Sequence, residues 1–450
     1  MNDNKVTFGS KFGTLAVVAG SVIGLGNIWR FPYLAGSNGG SAFIIIYILC
    51  SLCIAVPIMM SEFVIGRSTG NNAFRAFHTL SKNKIWAMVG LLGIITVFII
   101  FGFYSVIAGW AISFFQTAIT TGFTGRDASD IHSNFIDYIN SGWKPTIAAI
   151  VFIGMTAGIV IGGIEKGIEK INKILMPMLA VILIILFLYS TTLSGFSDAM
   201  NFLFKPDFSK INFSTILAAI GQSFFSMSLG MGCMITYGTY IRPETSLPKL
   251  VLTIAIADLS VALIAGFAIF PGVFTFGIEP TSGPTLVFET LPLVFSQMLG
   301  GNIFGILFFF LVFIAAITSS VSMLEPIVLF LMQEFKLSRI KSVISISLIV
   351  TFLAVLCAYS QIGGSSIRLF GLNLFDALNN ATDKVMMPLG ALFIIIFIGW
   401  FANKNLVREQ ITNNGLHFNK GFNLYYFIIR FIVPIVLSLF ILNLFGVLTF

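Results

Sequence analysis

The stretch GSVIGLGNIWRFP, from Gly20 to Pro32, interrupts an apolar run that is otherwise long enough to cross a bilayer. It places three glycines, an asparagine and an arginine at membrane depth, where broken helix is tolerated only around a cavity or an ion site. A second interruption, SMSLGMG from Ser226 to Gly232, lies in another apolar run about halfway along the chain. Because paired interruptions in corresponding halves indicate a transporter's central site, the sequence predicts movement of a small solute across a membrane.

The composition of the 450 residues excludes a soluble globule. Apolar residues make up 57% of the chain and charged residues 10%, with a mean hydropathy of +0.98. The formal charge of +7 comes from Lys and Arg in short connections rather than from one basic face, so we expect a lipid bilayer and no nucleic acid as partner. Cysteines at 50, 53, 233 and 357 share no ligand spacing with the three His, which argues against a disulfide framework or a zinc site.

Apolar runs of about twenty residues or more predict an all-α polytopic membrane protein. Its eleven spans lie near 11–37, 41–66, 85–121, 145–163, 171–193, 213–240, 248–274, 299–333, 342–360, 376–402 and 423–448. Lys and Arg concentrate in the connections on the side of the N-terminus, so the positive-inside rule places the N-terminus in the cytoplasm and Phe450 outside. We expect no cleavable signal at the N-terminus, and we expect the proline-interrupted segment Glu279–Ser296 to be an outer loop over the site.

The residue types of the first interruption suit paired ions. Glycines let the backbone leave the helix and free carbonyls for a cation, while the next half-helix offers N–H groups to an anion. Asn27 supplies a neutral oxygen for a hard cation. Close helix packing alone would explain Gly24 and Gly26, but Arg30 is a charge inside the membrane and therefore a functional candidate.

These motifs resemble the neurotransmitter:sodium symporter family, in its bacterial amino-acid branch. The resemblance rests on GSVIGLGNIWRFPYL with NGGSAF after it, GIEKGIEK, GQSFFSMSLGMG and ITSSVSMLEP, and it extends over nearly the whole chain. It implies a leucine transporter-like fold in one domain, 1–450, with inverted repeats of five helices at 11–193 and 213–402 and an eleventh helix at 423–448. It also implies a bacterial inner membrane location, a monomer sufficient for transport, and no enzymatic activity.

The resemblance implies two sodium sites. The first joins the Val22 carbonyl, Asn27, Ser226, Asp258 and the carboxylate of the substrate. The second bridges the first and eighth spans through three carbonyls and two hydroxyls, those of Gly20, Ile23, Ala315, Thr318 and Ser319. Hydroxyls in membrane helices often bond their own helix, and this alternative stays open for Thr318 and Ser319.

Asp258 departs from the Asn that is more usual in the family. Chloride-dependent relatives use Tyr, Gln and Ser residues that match Tyr47, Gln222 and Ser226, but Ala262 lacks the hydroxyl that completes their site. Because Asp258 supplies a negative charge there, we expect that chloride is not required. A protonated Asp258 that merely bonds a carbonyl is the alternative.

The resemblance implies an α-amino acid substrate. Gly24 stands where monoamine transporters place an Asp, so the ligand must bring its own carboxylate. An apolar tail pocket with two flexible Met side chains favours hydrophobic and aromatic amino acids, and Met231 in place of a Phe favours large ones. The predicted substrate-binding residues are Val22, Gly24, Leu25, Gly26, Ile100, Tyr104, Phe225, Ser226, Ser228, Met231, Ser319 and Met323.

Arg30 above Phe225 and Tyr104 resembles the outer gate of the family. The FDxxD pattern of the tenth span reads FDALN here, which makes Asp376 the predicted acidic partner of Arg30. At the inner gate, Lys5 and Phe8 replace the usual Arg and Trp, Gln333 occupies the place of the matching acid with Glu334 after it, and Tyr240 joins the same network.

Gly167 and Pro177 in the fifth span favour local unwinding that admits water to the second sodium site. A static proline kink is the alternative.

Other functions stay open at this point. An osmolyte or γ-amino acid symporter would need a longer reach between the charged ends of its ligand. A channel would need a continuous polar lining, whereas these polar groups converge at one depth. A receptor that binds an amino acid without moving it would share the site, and only a transport measurement separates the two.

Overall fold

The computed structural model describes residues 7–277 and 287–447, and within them the chain is almost entirely helical. The helices are α1 (Lys11–Val22), α2 (Gly26–Ser37), α3 (Ser41–Thr69), α4 (Ala73–Ser81), α5 (Lys84–Thr120), α6 (Ala128–Asn140), α7 (Trp143–Ile161), α8 (Ile164–Ser190), α9 (Phe196–Phe204), α10 (Phe213–Ser226), α11 (Cys233–Tyr240), α12 (Leu247–Thr275), α13 (Thr290–Gln297), α14 (Gly301–Glu334), α15 (Arg339–Ser360), α16 (Leu374–Phe401), α17 (Lys404–Thr412) and α18 (Phe422–Leu444). A 3-10 turn at Phe208–Lys210 and one antiparallel hairpin, β1 (Arg368–Leu369) with β2 (Leu372–Asn373), complete the described elements.

The described residues contain nine helices that are long and apolar enough to cross a membrane. The bent pair α1 and α2, with an angle of 45° between them, makes a tenth span. The prediction of an all-α polytopic membrane protein is therefore confirmed. The predicted sixth span, 213–240, would consist of α10 and α11 across a six-residue break and would bring the number of spans to eleven. This count stays a prediction, as does the division into two repeats.

Both interruptions occur where the sequence predicts them. Helix α1 ends at Val22, and the next residue, Ile23, has extended backbone with ψ 96°. Between α10 and α11, Ser228 adopts a φ of +53° and Gly230 a φ of +74°, in the left-handed region that ends a helix. The Glu62 carboxylate of α3 accepts a hydrogen bond from the Gly230 amide at 2.7 Å, which satisfies one backbone group that the break leaves unpaired.

The broken helices lie in the middle of the bundle, against α3, α5, α8 and α14. Glycine permits a close backbone contact of this kind: a Cβ on Gly66 of α3 would lie 1.9 Å from the Ile235 carbonyl oxygen of α11. On the outside, only 22% of the apolar stretch of α18 is buried, as expected for a helix that faces lipid. The core of the protein is therefore built around the two interruptions.

Helix α8, which carries Gly167 and Pro177, is continuous in this structure. Gly167 lies in a π-helical turn, and a Cβ there would lie 2.2 Å from the Ile159 carbonyl oxygen, so close packing against the end of α7 already requires glycine. Unwinding of this helix stays a prediction. The predicted outer loop lies partly in the described residues, where α13 buries Leu291 and Val294; its residues 279–286, like Phe450, lie outside them.

Candidate functional site

We name the face that carries Phe8 the inner face, following the predicted orientation. Asn27 and Ser226, two of the residues predicted for the first sodium site, contact the carboxylate of Asp258, which is fully buried. Asn27 Nδ2 donates to Asp258 Oδ1 at 2.7 Å, and Ser226 Oγ donates to the same oxygen at 2.6 Å. Tyr47 Oη donates to Asp258 Oδ2 at 3.0 Å. Asn27 Oδ1 accepts from the Gly24 amide at 3.2 Å, so α2, α10, α3 and α12 meet at one group of oxygens.

The residues predicted for the second site lie where α1 crosses α14. Ser319 Oγ donates to the Gly20 carbonyl oxygen at 3.3 Å, which joins the two helices directly. Thr318 Oγ1 donates to the Ala315 carbonyl oxygen at 3.2 Å and to that of Ile314 at 3.0 Å, both in its own helix. The back-bonding alternative thus describes Thr318 in this structure, while Ser319 reaches across to α1.

The donor set of both regions suits a hard monovalent cation. Carbonyl, amide and hydroxyl oxygens are the ligands such ions accept, and Asp258 adds a single carboxylate. In the part of the chain that the structure describes, no group of three His, Cys, Asp or Glu side chains could hold a metal ion. The chemistry therefore fits sodium rather than a transition metal.

The glycines of the first interruption let its backbone approach α10 and α14 closely, between the two predicted sodium sites. A Cβ on Gly24 would lie 2.2 Å from Ser319 Oγ, so any side chain here, including the Asp of monoamine transporters, would displace the Ser319 hydroxyl from its contact with α1. A Cβ on Gly26 would lie 3.2 Å from the Phe225 ring and 3.5 Å from Ser226 Cα. The first interruption thus packs directly on both the second interruption and α14.

The hydroxyl of Tyr104 is a buried polar group close to the first interruption. This hydroxyl is buried beside Ser319 and the Leu25 amide, yet it makes no hydrogen bond of normal geometry with a described residue. A buried hydroxyl without a partner costs free energy, about 1–3 kcal/mol, which a ligand oxygen would recover. The orphan hydroxyl therefore fits an anionic group of a ligand at this point.

The remaining predicted substrate residues are buried around the interruptions. Ile100, Met231 and Met323 are between 0% and 5% exposed and contribute only apolar surface. Ser228 Oγ donates to the Ser21 carbonyl oxygen at 3.0 Å. Ser21 directly precedes Val22, whose carbonyl is one of the predicted ligands. The site therefore has polar groups along the helix breaks and apolar side chains around them.

Arg30 forms an ion pair with Asp383 and not with the predicted partner Asp376. Arg30 Nη1 donates to Asp383 Oδ1 at 2.9 Å, and Nη2 donates to Oδ2 at 2.5 Å. Asp376 lies two helical turns nearer the start of α16, where its Oδ2 accepts from Asn373 Nδ2 at 2.7 Å. Seven residues are about two turns of a helix, so Asp376 and Asp383 lie on nearly the same face of α16 at different depths. The prediction therefore selected the correct face of α16 but the wrong depth.

A cavity of about 500 Å³ lies outside this pair. Trp29, Tyr33, Phe225 and Phe440 line it with aromatic surface, and Arg30 also places its guanidinium carbon 4.7 Å from the centroid of the Phe225 ring. The cavity thus ends at a lid made of an ion pair and an aromatic ring.

The inner face is closed by the segment before α1. Phe8 is fully buried, packs edge-on against Tyr237 and Tyr240, and donates its amide to the Tyr240 carbonyl oxygen at 3.0 Å. Tyr240 Oη donates to Glu325 Oε1 at 2.8 Å, and Arg339 forms an ion pair with the same carboxylate. Tyr240 thus contacts both Phe8 and Glu325, and its role at an inner gate stays a prediction. The predicted gate residue Lys5 lies outside the described residues.

Glu169 of α8 holds the same segment from the other side. Its Oε2 accepts from the Gly9 amide at 2.7 Å, and its Oε1 accepts from Ser10 Oγ at 3.2 Å. Gln333 and Glu334, in contrast, bind Asn72 and Arg75 near the start of α4.

Sequence reasoning missed four acids that contact the helix breaks or the two ends of the site: Glu62, Glu169, Glu325 and Asp383. All four lie in apolar spans, where an ionisable residue is a functional candidate by default, so this rule would have found them.

The fold and the site define a secondary transporter with a central site between two broken helices, closed at both ends. The model of the Sodium:neurotransmitter symporter family matches residues 5–131 and 120–449. The chain belongs to this family and is a sodium-dependent symporter, and the family is one of transporters rather than enzymes.

Individual relatives are similar over most or all of this chain. The chain is 35% identical over 451 residues to YhdH of Bacillus subtilis (strain 168), a sodium-dependent transporter, with 100% of both chains covered. It is 21% identical to the sodium- and chloride-dependent GABA transporter ine of Drosophila melanogaster, over 87% of this chain and 46% of that one. The crystal structure of MhsT in complex with L-phenylalanine matches with a TM-score of 0.91 and 38% identity, covering 98% of this chain and 99% of that chain.

Proposed function

We propose that this chain imports hydrophobic and aromatic L-amino acids together with sodium, by alternating access. The observation that carries the proposal is the buried Tyr104 hydroxyl, which makes no hydrogen bond of normal geometry with a described residue and lies beside Ser319 and the Leu25 amide. An α-carboxylate would bond this hydroxyl and the Gly26 amide, and the side chain of the amino acid would lie against Ile100, Met231 and Met323. The L-phenylalanine bound to MhsT supports this class of substrate.

Two sodium ions accompany the substrate in this proposal. The Val22 carbonyl, Asn27, Ser226 and Asp258 would hold the first, whose charge also meets the substrate carboxylate. The second would be held by Gly20, Ile23, Ala315, Thr318 and Ser319, and it would join α1 to α14. Thr318 must then turn its hydroxyl away from its own helix, a rotation of one χ1 angle.

Closure at both ends supports transport rather than a channel. The Arg30–Asp383 pair blocks the path outside the site, and buried Phe8 blocks it inside. A channel needs a polar lining that is continuous when it conducts, whereas alternating access needs two barriers that open in turn. We therefore propose that release to the cytoplasm requires the segment around Phe8 to leave Tyr240 and Glu169.

The same proposal includes an inner membrane location with the N-terminus in the cytoplasm and the C-terminus outside. It includes transport by the monomer and no need for chloride, because Asp258 supplies the charge.

Binding of radiolabelled phenylalanine to the purified chain tests the substrate class. We expect binding in sodium and none in potassium, competition by tryptophan, tyrosine and leucine, and little competition by glycine. Met231→Phe should weaken tryptophan binding more than leucine binding, because the ring removes space that a thioether yields. Stronger competition by γ-aminobutyrate or betaine than by any of these amino acids would contradict the proposal and favour an osmolyte or γ-amino acid carrier.

A further inference from the structure

Arg430 is a charged residue of the lipid-facing helix α18 whose guanidinium lies between aromatic rings. Its Cζ is 4.4 Å from the centroid of the Trp400 ring and 5.6 Å from that of Phe431. Two such contacts orient the guanidinium and leave its edge for an anion. Arg430 is thus a positioned cation on a membrane-spanning helix.

Two further cations lie along the same face of α18. Lys404 Nζ is 5.0 Å from the centroid of the Tyr426 ring, and Arg408 Cζ is 5.9 Å from that of Phe422. Residues 422, 426 and 430 are spaced by four, so they form one row on the helix surface. Lys404 and Arg408 come from the short helix α17, which lies beside the start of α18.

No protein acid neutralises this row in the part of the chain that the structure describes. The ion pairs among the described residues do not involve Lys404, Arg408 or Arg430. Glu409, the one acid of α17, forms no ion pair with the adjacent Arg408. The buried Nε of Arg430 has no hydrogen-bond partner. An unpaired guanidinium on a membrane helix is costly, so an external anion would stabilise it.

Arg430 lies beside the end of α16, and from this contact we place it at the level of the membrane interface. Trp400 Nε1 donates to the Arg430 carbonyl oxygen at 3.1 Å, and Trp400 is the second-last residue of α16, where a span leaves the bilayer. Tryptophan is enriched at this level, beside the lipid headgroups. Phe401 and Phe427 are 62% and 52% exposed, which leaves the site open to lipid acyl chains.

We propose that this row, Arg430 with Lys404 and Arg408, binds the headgroup of an anionic phospholipid from the leaflet next to the 402–421 connection. The phosphate would accept from the Arg430 guanidinium, and Lys404 and Arg408 would meet the additional negative charge of the headgroup. This site is separate from the transport site and depends only on the chain being a membrane protein.

The test is thermal unfolding of the full chain in a neutral detergent, with phosphatidylglycerol or phosphatidylcholine added. We expect phosphatidylglycerol to raise the unfolding midpoint saturably by about 3 °C or more, because a ligand that binds only the native state stabilises it. Phosphatidylcholine and inorganic phosphate should raise it far less. Arg430→Gln should remove the phosphatidylglycerol effect, as should the double variant Lys404→Gln with Arg408→Gln, whose two positions are exposed and tolerant of change.

Lys144→Gln is the matched control, because Lys144 also lies over a tryptophan, Trp143 at 5.8 Å, but far from α18. It should keep the full phosphatidylglycerol effect. Equal stabilisation by phosphatidylcholine or by inorganic phosphate would overturn the proposal, and so would a full phosphatidylglycerol effect in the double variant. A lipid-free dimer that Arg430→Gln converts to monomer would also overturn it, in favour of a second copy of the chain as the anion donor.

Discussion

The guanidinium of Arg30 holds both carboxylate oxygens of Asp383, with Nη1–Oδ1 at 2.9 Å and Nη2–Oδ2 at 2.5 Å. Parallel hydrogen bonds of this kind are strong and directional. Because Arg30 belongs to α2 and Asp383 to α16, the pair links a broken helix to the wall of the outer cavity. The Phe225 ring of α10 lies under the guanidinium and completes the lid.

Asp383→Asn should lower sodium-driven uptake at least about tenfold, because a partly buried Arg30 loses its counter-charge. Asp376→Asn is the control, since the carboxylate of Asp376 only accepts from Asn373 at the start of α16. Initial uptake rates of the two variants, normalised to the amount of reconstituted protein, provide the comparison. Equal losses in both variants would show that the ion pair is not the gate.

Gly24→Ala should abolish sodium-dependent substrate binding, because its Cβ would lie 2.2 Å from Ser319 Oγ in the middle of the site. Gly154→Ala in α7 is the matched control, since a Cβ there has no atom within 4 Å. Radioligand binding to both purified variants measures the difference, and their elution on gel filtration checks folding. Normal binding by a folded Gly24→Ala would contradict the position of the site.

Arg67 ties three inner elements together. It is 7% exposed, and it donates from Nε to Gln410 Oε1 and from Nη1 to the Thr245 carbonyl oxygen, both at 2.7 Å. Arg67→Gln should lower the free energy of unfolding by about 2–4 kcal/mol, because buried acceptors lose their donor.

Arg75→Gln is the comparison for Arg67→Gln, because the Arg75 side chain is 44% exposed in its ion pair with Glu334. This substitution should lower the free energy of unfolding by less than about 1 kcal/mol. Thermal unfolding midpoints measured in the same detergent separate the two variants. A larger shift for Arg75→Gln would contradict the assignment of the inner network.

Replacement of chloride by gluconate should leave uptake unchanged, because the carboxylate of Asp258 already supplies a negative charge beside Tyr47 and Ser226. Asp258→Ala should lower the apparent affinity for sodium at least about tenfold, and it should also lower the unfolding midpoint, because Asn27, Ser226 and Tyr47 lose their buried acceptor. Collapse of wild-type uptake in gluconate would show that chloride is a required ion.

The broken helices were predictable because glycines and a charge inside an apolar run are typical of a helix that breaks at membrane depth. Helix α1 ends at Val22 and α10 at Ser226, as the two motifs indicate. Local composition carries this information, and it does not depend on which helices become neighbours.

The gate partners were not predictable in the same way, because they depend on the relative depth of distant helices. Asp376 and Asp383 share a face of α16, and only the packing of α16 against α2 selects the deeper one. The partnership of Tyr240 with Glu325 likewise requires that the end of α11 lie beside α14, which periodicity alone does not specify.

The most direct test of sodium-coupled transport is uptake of radiolabelled phenylalanine, tryptophan and leucine into proteoliposomes under an inward sodium gradient, with potassium as the control ion. We predict accumulation above the external concentration in sodium only, and its loss in Asn27→Ala and Thr318→Ala. Equal accumulation in potassium, or sodium-dependent binding without accumulation, would contradict sodium-coupled transport of amino acids by this chain.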